Sequence, residues 1–212
     1  MGSEMCIRDS SYAAYYAKWS EPWEAQALLR ADAVVGDVDL RRRFHELIDP
    51  LRFPEGGISE DAAIEVRRIK ARVDKERLPR GADPKSHLKL GQGGLADIEW
   101  TVQLLQMRHS AEVEGLRTPR TVEALEAARG AGLLDPSDAA LLIDGWRSVS
   151  RARNAVALVK GSGSDQLPND IRDRAAVASI LGYPAGATDE MVNDLLRTMR
   201  VSRGVVDRVF WG

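Results

Sequence analysis

From Ser11 onward, apolar residues recur at the three- and four-residue spacing of helices, and no alternating run is long enough to read as a strand. The pattern predicts an all-α fold, a multi-helix bundle. Tyr12 to Trp19 forms a first helical piece, and Ser20 with Pro22 supplies a cap and a first-turn proline for a second helix over Trp23 to Ala31. Tyr15, Trp19 and Trp23 follow at intervals of four, a stripe that predicts core packing. Asp37 is placed to cap a helix reaching Ile48, and Asp49 to Gly57, with two prolines and two glycines, reads as a connector.

Ser59 to Arg77 predicts a long charged helix with Ile64, Ile69 and Val73 as a partial apolar stripe. Arg67, Arg68, Lys70, Arg72, Lys75 and Arg77 interleave with Glu65, Asp74 and Glu76, the pattern of a solvated helix with i,i+4 pairs. A face for phosphate or an acidic partner is the other reading. After a loop from Leu78 to Ser86 comes a glycine turn and its helix. Thr118 and Pro119 then open a helix closed near Gly130, and Asp135 with Pro136 opens another that reaches about Lys160. Arg147, Arg151 and Asn154 give that helix a polar, cationic face. Gly161 to Asp165 is a break, Asn169 to Leu181 a helix ended by Gly182, and Thr188 the cap of a last helix to about Val209.

The stretch HLKLGQGGLADIEWTVQLLQMRH, His87 to His109, carries the most chemistry. Gly91, Gly93 and Gly94 suggest positive φ or the close approach of another group. Ile98, Val102, Leu105 and His109 predict a core face for the helix that follows, while Glu99, Gln103 and Gln106 form a polar line free to face a cleft. Asp97 and Glu99 fall in the first turn, where unpaired amides and the helix dipole favour carboxylates, so helix capping accounts for both on its own. A glycine turn ahead of a helix can also cradle phosphate. Here the spacing lacks the full dinucleotide fingerprint and no Walker Gly-Lys-Ser/Thr occurs, which leaves a weak anion site with Lys89 as the nearby cation.

Composition narrows the function further. The 212 residues hold 30 basic and 32 acidic side chains, a formal charge of -2, which argues against a nucleic-acid partner or an anionic membrane surface. No apolar run approaches a membrane span and no apolar signal core opens the chain, so a cytoplasmic protein is expected. The lone Cys6 excludes an internal disulfide, and three scattered histidines give no zinc spacing, so no metal site is expected in the chain. Asp37-Val38-Asp39 resembles a Mg²⁺-holding carboxylate pair but lacks a Gly-Ser turn and a strand, and reads as helix capping. Residues 1–10, MGSEMCIRDS, break the helical pattern and resemble translated adapter sequence, foreign to the natural protein.

The segment from Lys89 to Gln103 resembles the signature K-x-G-x-G-G-[IL]-x-[DE]-[IV]-E-[FW]-x-V-Q of the bifunctional glutamine synthetase adenylyltransferase/adenylyl-removing enzymes. WEAQALL from Trp23, RLPRG from Arg77, LRT from Leu116, SRARNA from Ser150 and VVDRVF from Val205 are similar to the C-terminal half of that family, in the same order. Trp100 and the RLPRGAD loop resemble its actinobacterial members. The resemblance covers about residues 11–212.

It implies a helical domain that follows a nucleotidyltransferase domain, with residues 11–90 linking the two and 91–212 forming the C-terminal bundle. The family transfers AMP from ATP to a tyrosine of glutamine synthetase, and removes it, in response to nitrogen status. Mg²⁺ and ATP are thus implied for the full-length enzyme, with none bound by this portion alone. The family's catalytic Gly-Ser and Asp-x-Asp would lie upstream of Tyr12, so the chain is expected to be an inactive fragment with no catalytic residue of its own. Lys89, Gly93, Gly94, Asp97, Glu99, Arg151 and Asn154 match family positions and are expected to line a cleft facing the nucleotidyltransferase domain. Implied partners are glutamine synthetase, a PII-type regulatory protein and the enzyme's own nucleotidyltransferase domains. The alternative is a non-catalytic module that docks glutamine synthetase or a PII-type protein.

Overall fold

A computed structural model describes residues 3–212, with side chains from Ser11 onward, and the helix holding Tyr12 to Trp19 starts at Ser3, against the expected break of the helical pattern over residues 1–10. Among the described residues nine α-helices run in the order α1 (Ser3–Trp19), α2 (Pro22–Leu28), α3 (Val38–Arg52), α4 (Glu60–Glu76), α5 (Leu95–His109), α6 (Thr121–Gly130), α7 (Pro136–Lys160), α8 (Ile171–Ile180) and α9 (Thr188–Val206). A 3₁₀ turn spans Glu114–Leu116 and a π-helical turn Asp207–Trp211. Among the described residues the only extended pairing is one antiparallel bridge between His87 and Gln166, so the fold is an all-α bundle. No described helix is long and apolar enough to cross a membrane.

Local chemistry sets most boundaries. Asp37, Ser59 and Asp135 cap α3, α4 and α7 through their side chains, and Gly161, at φ 64°, ends α7 in the left-handed conformation. Ser20 is not the cap of α2; Glu21 is, in a capping box with Glu24 ahead of Pro22. Ala187 rather than Thr188 precedes α9, and α6 starts only at Thr121, because Thr118 folds a turn by accepting the Arg120 amide at 3.2 Å.

Helix α3 continues through Pro50 to Arg52, past the expected connector boundary. Proline at this point forfeits one backbone bond and crowds the carbonyl four residues back, and less than one turn of helix follows it. The extra turn places Arg52, 7% exposed, where it donates to the carbonyls of Leu28 at 3.3 Å and Ala31 at 2.6 Å, and so caps the end of α2 with a cation.

Two apolar clusters make the core. Ile98, Val102 and Leu105 of α5 meet Val66, Leu125, Leu142, Val206 and Phe210 in the first. Leu88 and Leu95 meet Val149, Val156, Val177, Met191 and Met199 in the second, among α7, α8 and α9. Helix α5 therefore touches both. Helices α7 and α9 run antiparallel, since Gly145 lies against Ser202 while Arg151, further along α7, borders a cleft with Asp194, further back on α9. A Cβ on Gly145 would lie 2.1 Å from the Ser202 Oγ, so glycine permits the close crossing.

The expected core stripe at the start is overturned: Tyr15, Trp19 and Trp23 are exposed. Spacing of four placed them on adjacent turns, but no later helix covers them. The stripe of α4 is corrected as well, because Ala63, Val66 and Lys70 are its buried residues while Ile64 is exposed.

Candidate functional site

The glycine turn is wound so tightly that it consumes its own amides. The backbone N–H of Gly91 donates to His87 O at 2.8 Å, that of Gly94 to Gly91 O at 2.9 Å, that of Leu95 to Leu88 O at 3.0 Å and that of Ala96 to Lys89 O at 2.9 Å. Gly93 N–H donates to Asp97 Oδ2 at 2.8 Å. Donors that a phosphate loop would aim at its ligand are here spent inside the turn. Gly93 has φ +72°, and a Cβ on it would fall 1.8 Å from Met199 O, so the turn lies flush on the α9 backbone. A Cβ on Gly94 would meet Leu88 O at 2.7 Å.

Asp97 is the hub beneath this turn. It is 2% exposed, and its carboxylate takes Lys70 Nζ on Oδ1 at 2.5 Å and Arg203 Nη1 on Oδ2 at 3.0 Å, besides the Gly93 amide. Lys70, 1% exposed, also donates to Asp74 at 2.5 Å, and Arg203 pairs with Asp207 at 2.8 Å. Five charged groups from α4, α5, α9 and the π-helical turn, two cations and three carboxylates, thus pair with one another in and at the edge of the core, as buried charges must. Burial pushes the Asp74 carboxyl above its ordinary range, although Lys70 pulls the other way. For Arg203 burial opposes the charge, but Asp97 and Asp207 outweigh it and hold the guanidinium above its ordinary value.

Lys70 corrects the solvated-helix reading of α4. It stands four residues after Val66 and seven after Ala63, on the stripe that faces the core, and that register was the signal available. Nothing local in the sequence pointed to Arg203.

The polar line of α5 is also corrected, because it faces other helices and loops and no open cleft. Glu99 pairs with Arg30 at 3.4 Å, Gln103 accepts from Gln26 Nε2 at 2.7 Å, and Gln106 Nε2 donates to the carbonyls of Leu116 at 2.8 Å and Thr118 at 2.7 Å. Helix α5 is central, so Gln106 is buried, Glu99 and Gln103 are partly buried, and each has a partner.

The matched residues therefore fall into two sets. Gly93, Gly94 and Asp97 are brought together in the buried turn, and Glu99 lies one turn of helix away against α2. Lys89, Arg151 and Asn154 are exposed, and their side chains make no hydrogen bond or ion pair among the described residues. Arg151 borders a shallow cleft of about 130 Å³ with Tyr183, Asp194 and Thr198. Tyr183 donates to Asp194 Oδ2 at 3.1 Å there. No three His, Cys, Asp or Glu side chains among the described residues are grouped to hold a metal ion.

Residues 67–211 match the family model described as GlnD PII-uridylyltransferase, and residues 3–47 the one described as glutamate-ammonia ligase adenylyltransferase. Relatives that span both segments decide between the two descriptions. The chain is 56% identical over 201 residues to the bifunctional glutamine synthetase adenylyltransferase/adenylyl-removing enzyme of Streptomyces coelicolor, covering 95% of the chain and 20% of that relative. The chain belongs to the bifunctional glutamine synthetase adenylyltransferase/adenylyl-removing enzyme family. Members so named from Streptomyces avermitilis and Nocardia farcinica are each 55% identical, over 96% and 95% of the chain and 20% of their own lengths. The chain spans about a fifth of the length of these family members.

Proposed function

We propose that this chain forms the helical part of an enzyme that transfers AMP from ATP to a tyrosine of glutamine synthetase and removes it again, and that it stands beside the site of transfer without supplying catalytic residues. The observation that carries this reading is the 56% identity to the Streptomyces coelicolor enzyme over 95% of the chain. In it, residues 91–212 form the bundle, and residues 11–90 lead to it from the nucleotidyltransferase domain. In this reading Mg²⁺ and ATP belong to that domain, while Asp97 and Glu99 pair with Lys70, Arg203 and Arg30.

Within the cleft the seven matched residues do different work. Gly93, Gly94, Asp97 and Glu99 hold the wall in shape, because each is enclosed or paired inside the chain. Lys89, Arg151 and Asn154 have polar groups without a partner among the described residues, and the two cations would offset phosphate charge on a nucleotide.

The test uses the Streptomyces coelicolor enzyme with its matching fifth replaced by this chain. Lys89→Ala and Arg151→Ala should each slow adenylylation or raise the KM for ATP by roughly tenfold, about 1.4 kcal/mol of transition-state stabilisation. If both variants keep rate and KM, the two residues have no place in the cleft.

A second reading, a docking surface for glutamine synthetase or a PII-type protein, draws on Leu158 and Ile171, 73% and 81% exposed at the end of α7 and the start of α8. Leu158→Asp would then weaken capture of that partner and leave ATP affinity alone.

A further inference from the structure

An unpartnered apolar face lies on α1–α3, on other elements than the glycine turn. Tyr12, Trp19 and Trp23 are 57%, 63% and 52% exposed, and Val35 and Val38, in and after the loop before α3, 91% and 69%. Beside them Tyr12, Tyr16, Val35, Leu40, Phe44 and Leu47 line an open cleft of about 910 Å³. Aromatic side chains bring large apolar area at little entropic cost, so such a face is enriched at interfaces and rarely left to water.

Two facts identify what covers it. These cleft-lining residues all fall within residues 3–47, the segment matched by the glutamate-ammonia ligase adenylyltransferase model, and none falls in the 67–211 segment. The full-length relatives also carry about four-fifths of their length outside the match to this chain. We propose that the α1–α3 face is the seat of that remaining polypeptide, a folded domain that lays an apolar surface into the cleft between α1 and α3. The rim suits it: Asp32, Arg41 and Glu46 border the cleft, a mixed-charge edge around an apolar centre. The α1–α3 segment is then an interdomain joint, with its aromatics as the anchors. This holds apart from the roles given to Lys89 and Arg151, which lie on other helices and loops.

Hydroxyl-radical footprinting tests it, on the 212-residue chain and on the Streptomyces coelicolor enzyme carrying this chain in place of its matching fifth. Trp19, Trp23 and Val35 should be labelled at least fivefold more slowly in the full-length protein than in the short chain. Val35→Asp should leave the short chain's melting temperature unchanged and restore labelling of Trp19 in the full-length protein. Footprinting of the unaltered Streptomyces coelicolor enzyme at the aligned residues gives the same comparison should the exchanged protein fold poorly. Equal labelling in long and short chains overturns the proposal. So does protection in the short chain that rises with concentration and is lost in Val35→Asp, because a second copy then covers the face. Loss of the Lys89 and Arg151 effects alone would strike the cleft reading and leave this one standing.

Discussion

Lys70 Nζ lies 2.5 Å from Asp97 Oδ1 with both side chains almost wholly excluded from water, and this contact ties the middle of α4 to the first turn of α5. Taking two charges out of water is costly, and their mutual attraction repays it only if the remaining valences are filled. Here Asp74 takes a second N–H of Lys70, and Arg203 and the Gly93 amide fill the other oxygen of Asp97. A pair of this kind contributes little compared with an apolar replacement of both, but losing Lys70 leaves Asp97 Oδ1 buried without its cation, with Arg203 and the Gly93 amide on Oδ2 alone.

Lys70→Ala is therefore expected to destabilise the chain by about 3–5 kcal/mol, the range for breaking a buried pair. Arg72→Ala, two residues on and exposed, should change stability by less than ~0.5 kcal/mol. Urea denaturation of both variants would check it. A loss below ~1 kcal/mol for Lys70→Ala would mean that water reaches Asp97 and that the network does not hold the turn.

Helix positions were legible because they depend on short-range chemistry: the caps Asp37, Ser59 and Asp135, and the stop at Gly161, can be read within a few residues. What could not be read locally is which face each helix turns inward. Lys70 looked like one more surface cation, since its partner Asp97 is 27 residues away, and Arg203 meets Asp97 across 106 residues. Tyr15, Trp19 and Trp23 showed the converse error, because a regular apolar stripe says that something packs there without saying that this chain provides it. The glycine turn was half legible. Its need for close approach followed from composition, but that the neighbour is the α9 backbone, with Met199 O beneath Gly93, required the fold.

Gly145 and Ser202 offer a test of the α7–α9 crossing. A methyl group at 145 would stand 2.1 Å from Ser202 Oγ and 3.4 Å from Ile98 Cδ1, so Gly145→Ala should cost about 1–3 kcal/mol by overpacking. The Ser202 hydroxyl is buried and has no hydrogen-bond partner among the described residues, so Ser202→Ala alone should be neutral or slightly stabilising. Combining them should recover part of the loss, because the nearest obstructing atom is gone. A double-mutant cycle on thermal unfolding gives the coupling, and strictly additive effects would show that the helices shift apart and no longer touch at this point.

His87 sets a pH dependence whose sign follows from its surroundings. The ring is 4% exposed, and its Nδ1 accepts the Leu90 amide at 3.0 Å, an acceptor role open only to the neutral imidazole. Burial lowers its pKa below 6.5, with Lys89 adding to the effect and Asp165 opposing it. In the unfolded chain the imidazole titrates near its ordinary value of about 6.5. Between that value and the depressed folded one, the unfolded state binds more protons. Stability from neutral His87 is thus fully present above about pH 6.5 and is lost as the pH falls from there through the folded value, with a slope of at most about 1.4 kcal/mol per pH unit for one proton. Urea midpoints measured from pH 7.5 down to 5.0 should fall more steeply for the natural chain than for His87→Gln, which keeps an acceptor but cannot titrate. Parallel curves would place the titrating group elsewhere and leave the ring with a packing role only.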